Sequence, residues 1–264
     1  MKNITIETLE NVYRQYNKRG LISPDPLEFL FAYKNKNDRE ITALIASSLA
    51  YGRVSQILKS ISHVLHVMGN SPYEFIKTND MQYFLSSFAG FKHRFTTGEE
   101  LADFLHAIKQ VIAKYGSLEK CFNVGYNPEH ETIHEALTAF VAKLRAESSY
   151  PKNSLLPNPA LGSACKRLNL FLRWMVRSDD VDPGGWNKKF ASKLIVPLDT
   201  HMFHFGRSYG FTARKNADLT AAKEITAAFR KLCPHDPVKF DFAITRFGIR
   251  HELNWNDLDK IVNE

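Results

Sequence analysis

An all-α fold of two helical lobes is what this 264-residue sequence predicts, on three observations. Apolar residues recur at three- and four-residue steps along most of the chain, the pattern of amphipathic helices. Alternating β-branched runs, which would mark strands, are nearly absent. Apolar residues make up 44% and charged residues 24%, so the chain can bury a core and is neither disordered nor collagen-like.

The helices follow in order. Ile41, Leu44, Ile45 and Leu49 form one apolar face, with Asp38 as the expected N-cap. Ile57, Ile61, Val64, Leu65 and Met68 form the next. Gly69-Asn70-Ser71-Pro72 stops that helix, and Tyr73-Glu74-Phe75-Ile76 starts a short third. Thr97-Gly98-Glu99-Glu100 opens another, with Leu101, Phe104, Leu105, Ile108, Val111 and Ile112 on one face. Thr132 to Arg145 repeats the pattern. Leu168 to Val176 is densely apolar and predicts a buried helix, with Phe171 and Trp174 in the core. Thr200 to Arg207, Leu219 to Leu232 and Pro237 to Gly248 complete the set.

Two stretches read as loops. Ser148 to Leu161 carries Pro151, Pro157 and Pro159. Ser178 to Ser192 carries Asp179-Asp180 and Asp182-Pro183-Gly184-Gly185, and is the expected passage between the lobes. Trp186, in this second loop, is expected to pack over a pocket mouth rather than in a core.

The formal charge of +7 (35 Lys+Arg against 28 Asp+Glu) favours an anionic partner. It is unevenly placed. No acid stands between Glu40 and Glu74, where Arg53 and Lys59 lie. None stands in 152–177 either, which holds Lys152, Lys166, Arg167, Arg173 and Arg177. Acid-free helix–turn regions suit contact with phosphates, and they equally suit solvated helix faces. No apolar run approaches the ~18 residues of a membrane-spanning helix. Met1 to Glu10 has neither signal- nor transit-peptide character, so a cytoplasmic location is expected. Cys121, Cys165 and Cys233 are too few and too scattered for a disulfide framework, a structural zinc or an iron–sulfur cluster.

Two segments carry chemistry. In Val196-Pro197-Leu198-Asp199-Thr200-His201-Met202, Pro197 forces extended backbone before it, and Asp199 or Thr200 can cap the helix that follows. Upstream, Gly162-Ser163-Ala164-Cys165-Lys166-Arg167 reads as a tight turn entering a helix. Lys166 falls on the first turn, where helix N–H groups and an apolar wall ease deprotonation of an amine. Asp199 as a plain cap and Lys166 as a surface lysine are the bland alternatives. Cys165 reads as a small residue without a reactive role.

Together these segments resemble the helix-hairpin-helix DNA glycosylase superfamily, which includes endonuclease III and the 8-oxoguanine glycosylases. The family hairpin has the form Leu-Pro-Gly-Val-Gly-x-Lys. Gly162 and Lys166 match its first glycine and its lysine, while the second glycine is missing. The Val196–Met202 segment is similar to the family's Val-Pro-Val-Asp-x-His. Its continuation from Phe203 to Tyr209 looks most like the 8-oxoguanine branch. Ala43 to Tyr51 resembles an early family helix, and Gly90-Phe91-Lys92-His93-Arg94 a Gly-Tyr-Arg turn. Lys166 and Asp199 stand 33 residues apart, wider than in endonuclease III and like the archaeal 8-oxoguanine type. The whole chain also resembles a bacterial and archaeal family of the DUF2400 type.

The resemblance implies a central lobe over 36–185 with a modified hairpin, and a second lobe from 1–35 and 186–264. The active site would lie in the cleft between them. It implies a cytoplasmic, nucleoid-associated monomer that takes double-stranded DNA with a damaged base, such as 8-oxoguanine, and needs no cofactor or metal. The target nucleotide would be extruded into a pocket. Lys166 would be the nucleophile that forms a Schiff base and permits β-elimination, with Asp199 stabilising charge on the sugar. Tyr51 and Arg53 match positions near the flipped base and the gap it leaves. Gly162 and Arg167 would meet a phosphate, and His201 and His204 phosphate or base. Three alternatives stand beside this reading. They are a monofunctional glycosylase, a non-catalytic DNA-binding protein of the same fold, and a metal-dependent hydrolase using Asp199, His201 and His204.

Overall fold

A computed structural model describes residues 4–150 and 152–263. The readings that touch Met1 to Asn3 and Pro151 lie outside the described residues.

Helices dominate, as the periodicity requires. In chain order they are α1 (Ile6–Tyr16), α2 (Lys36–Leu49), α3 (Val54–Met68), α4 (Pro72–Thr78), α5 (Met81–Ser87), α6 (Gly98–Tyr115), α7 (Leu118–Val124), α8 (His134–Ala146), α9 (Lys166–Val176), α10 (Thr200–Ser208), α11 (Leu219–Leu232), α12 (Asp241–Ile249) and α13 (Trp255–Asn263). One short antiparallel hairpin pairs β1 (Lys92–His93) with β2 (Thr96–Thr97). Among the described residues, no helix is long and apolar enough to cross a membrane.

The chain forms two compact units, Ser23–Leu161 and Met1–Ile22 with Gly162–Glu264. Residues 162–185, grouped with the central lobe on sequence, therefore belong with the terminal segments, and residues 23–35, grouped with the termini, belong with the central unit. Arg173 and Arg177 tie α9 to Asp241 and Asp236, Tyr13 donates to Asp179, and the loop after α9 folds back on that helix. Gly184 N donates to Trp174 O (3.0 Å) and Trp186 N to Met175 O (2.8 Å). Trp186 is buried, edge-on to Phe171 at 5.1 Å, so it is a core residue and not a lid.

In the 23–161 unit, α2 is the buried axis; every residue from Glu40 to Leu49 is buried. Two of its acids serve other helices. Asp38 Oδ1 accepts from Ser71 Oγ (2.7 Å) and Tyr73 N (2.9 Å), at the start of α4. Glu40 accepts from Leu118 N (2.9 Å) and Glu119 N (3.2 Å), at the start of α7. Carboxylates at these positions meet the positive ends of helix dipoles. Asp38 is thus not the cap of its own helix. Asn35 takes that role, accepting from Asn37 N. Thr97 and Glu100 form a capping box where the sequence opens α6.

In the other unit, α12 is the buried axis, packed by α1, α10 and α13. It starts at Asp241 rather than Pro237, because residues 237–240 form a turn. Helix α10 approaches α11 closely at Gly206, where a Cβ would lie 2.5 Å from Ile225 Cδ1.

Candidate functional site

Lys166 is the first residue of α9. The chain reaches it through a turn that Gly162 makes possible, at φ +78°. Gly162 O accepts from Leu219 N (3.1 Å), and Ser163 bridges to Asp218, which ties the turn to the start of α11. Cys165 is also left-handed, at φ +46°, a conformation that costs a non-glycine residue about 1 kcal/mol. That kink starts α9 abruptly, with no side-chain cap. Asn169 braces it by donating from Nδ2 to Ala164 O (2.9 Å). Cys165 is buried, and burial pushes its thiol up, away from the reactive thiolate.

Asp199 reaches the same place from the other direction. Val196 to Leu198 are buried, and Val196 N donates to Thr226 Oγ1 (3.1 Å). Asp199 then caps α10, its Oδ1 accepting from His201 N (3.0 Å) and Met202 N (2.8 Å). The other oxygen, Oδ2, lies 3.8 Å from Lys166 Nζ. One oxygen is therefore fixed by two amides, and its twin faces the amine. The Lys166 side chain is 38% exposed and that of Asp199 17%, so the pair is open to a ligand.

The two histidines part company. His201 is turned toward α12, so close that a Cβ on Gly248 would lie 2.2 Å from its Nδ1. His204 is exposed, with its ring 4.9 Å from that of Trp255. It lines a groove of about 400 Å³ with Thr200, Phe203 and Arg207. Among the described residues, no three His, Cys, Asp or Glu side chains come together as a metal site would require. Gly248→Ala is expected to lower stability by about 1–3 kcal/mol, because its methyl group would collide with His201 and Trp255. Thermal unfolding checks this; an unchanged midpoint would mean that the rings move aside freely.

Beneath the pair lies an ionic network that the sequence reading missed. Arg173 Nε pairs with Asp182 (3.1 Å) and its Nη1 with Asp241. Arg177 binds Asp182 (2.8 Å), Asp179 and Asp236. All but Asp179 and Asp236 are buried. Burial pushes the Asp241 carboxyl up to about 6, against the pull of Arg173 and with a further push from Asp199. The available signal was Arg173 inside the apolar run of α9, with Arg177 four residues on at its end.

Arg167 sits half-buried beside Lys166, and Gly162 is exposed. Tyr51 and Arg53 belong to the 23–161 unit. Arg53 is exposed ahead of α3. Tyr51 is occupied in holding the hairpin. Its hydroxyl donates to His93 O (2.9 Å) and lies 2.6 Å from Thr96 Oγ1, and its ring meets that of His93 edge-on.

A family model described as "Protein of unknown function (DUF2400)" matches residues 25–250. The chain belongs to this family. The matched stretch includes Tyr51, Arg53, Gly162, Lys166, Arg167, Asp199, His201 and His204. No curated protein and no solved structure matches the chain.

Proposed function

We propose that the protein is a DNA base-excision glycosylase with lyase activity. The observation that carries this reading is the Lys166–Asp199 pair, an amine 3.8 Å from a carboxylate whose second oxygen is locked by two backbone amides. The likeness of both segments to glycosylase motifs supports it. In the reaction, Asp199 takes a proton from the Lys166 amine as Nζ attacks C1′ of the damaged nucleotide. The C1′–N bond breaks, and the base leaves with its electron pair and gains a proton. The nitrogen lone pair then breaks the C1′–O4′ bond, O4′ takes the proton held by Asp199, and the Schiff base so formed on the opened sugar acidifies the 2′ hydrogens. Loss of one expels the 3′ phosphate by β-elimination. The carboxylate also stabilises positive charge as it develops on the sugar. The substrate class is duplex DNA carrying an oxidised purine such as 8-oxoguanine, a choice that rests on the likeness alone.

Borohydride trapping tests this on duplexes carrying 8-oxoguanine, other oxidised bases and an abasic site. A covalent adduct on at least one is the expected result. Base release without an adduct would overturn the lyase step and leave a monofunctional enzyme. No release from any lesion would overturn the enzyme.

A further inference from the structure

We propose a second nucleic-acid site, on the 23–161 unit, that stacks an unpaired base of a single strand between Phe95 and Tyr150. Phe95 sits at the tip of the β1–β2 hairpin and is 74% exposed. It and Tyr150 line a cavity of about 590 Å³, within the range of small-ligand sites, together with Thr97, Glu100 and Lys152.

The walls are fixed. Thr96 Oγ1 lies 2.6 Å from Ser154 Oγ, joining the hairpin to the loop that carries Tyr150. Asn153 Nδ2 donates to Glu100 O (2.8 Å) and Asp103 Oδ2 (3.0 Å), anchoring that loop on α6. Arg94, at φ +53°, places its guanidinium 5.3 Å from the Phe95 ring centre, and its stem fills the space a Gly52 side chain would take. Two aromatics on a braced frame lose little entropy when a flat ligand enters.

Charge selects the ligand. The hairpin (92–97) and the loop (148–154) carry Lys92, Arg94 and Lys152 and no acid. Glu100 is consumed, one oxygen accepting from Thr97 N (3.1 Å) and the other from Ser154 N (3.3 Å). Aromatic faces among cations are the means by which proteins hold single strands without reading sequence. This site uses neither Lys166 nor Asp199, so it stands or falls apart from the glycosylase proposal.

The test is fluorescence anisotropy of a labelled deoxythymidine dodecamer with the full chain. Phe95→Ala is expected to weaken binding about tenfold or more, the scale of one lost base–aromatic stack. Phe95→Trp is expected to keep the affinity and to show indole quenching on binding. Lys152→Ala is expected to flatten the salt dependence. Absent binding, or Phe95→Ala within about twofold of wild type, would overturn the proposal; one stack should cost more than that. So would a Phe95→Ala that dissociates a dimer in sedimentation but leaves dodecamer binding unchanged, since the face would then bind a second copy.

Discussion

Lys166→Gln is expected to abolish the borohydride-trapped adduct, and Asp199→Asn to slow base release by about 10²–10⁴-fold, the range for removing a positioned acid–base group. Neither change should unfold the protein. Lys166 is partly exposed, and its pairing with Asp199 is the kind of open ion pair that adds little to stability. Asp199→Asn is the more telling experiment. Asparagine caps a helix about as well as aspartate, so the bonds from His201 N and Met202 N survive while the charge facing Lys166 is lost. An Asn variant with normal stability and lost activity assigns the charge to chemistry. An Asn variant as active as wild type reduces Asp199 to a cap and removes it from the mechanism. Asp199→Ala serves as the structural control and should cost about 1 kcal/mol through the lost cap. For Lys166, an adduct that persists in the Gln variant would place the nucleophile elsewhere.

How much of this was legible depends on the range of the interactions involved. The faces of α2, α3, α6 and α9 follow from local spacing, and each is buried where the period puts it. Caps are legible only when they serve their own helix. Thr97 does, as its spacing to Glu100 implies, whereas Asp38 stands where a cap would stand but reaches 33 residues on to Ser71. The short helices α5 and α7 carry too few turns to show a period, and the hairpin is only two residues a side. Lys166 and Asp199 could be singled out because each opens a helix behind a turn with a distinctive pattern. Their 3.8 Å approach depends on how α9 and α10 pack, which no local pattern encodes. Trp186 and the acids of 178–192 misled for the same reason. In sequence they look like a solvated loop. In the fold, that loop supplies the partners of two buried arginines.

That buried cluster gives the largest expected effect on stability. Arg177 is 4% exposed and pairs with Asp179, Asp182 and Asp236. Arg177→Met keeps much of the stem but takes the guanidinium from Asp179 and Asp236 and leaves Asp182 with Arg173 alone, and should cost about 3–5 kcal/mol at pH 7, the penalty for breaking a buried ion pair on one side. Arg177→Lys should recover only part, because an ammonium cannot reproduce the guanidinium's fan of three contacts. The pH dependence then separates charge from packing. Burial opposes ionisation of Asp179, but Arg177 and the amides of Asp182 and Val181 outweigh it and hold the carboxyl down at about 2. A depressed carboxyl stabilises the fold above its unfolded value near 3.8, and that stability is lost as the pH falls toward 2. The shift amounts to about 2 kcal/mol. Wild type should therefore weaken across that window, and Arg177→Met less so, because its Asp179 keeps the two amides but has lost its cation. Urea unfolding at pH 7 and pH 2.5 should find the gap between the two proteins narrowing by about 1 kcal/mol, the part of that shift due to the cation. Parallel losses at both pH values would mean that Arg177 acts through its packed stem rather than its charge.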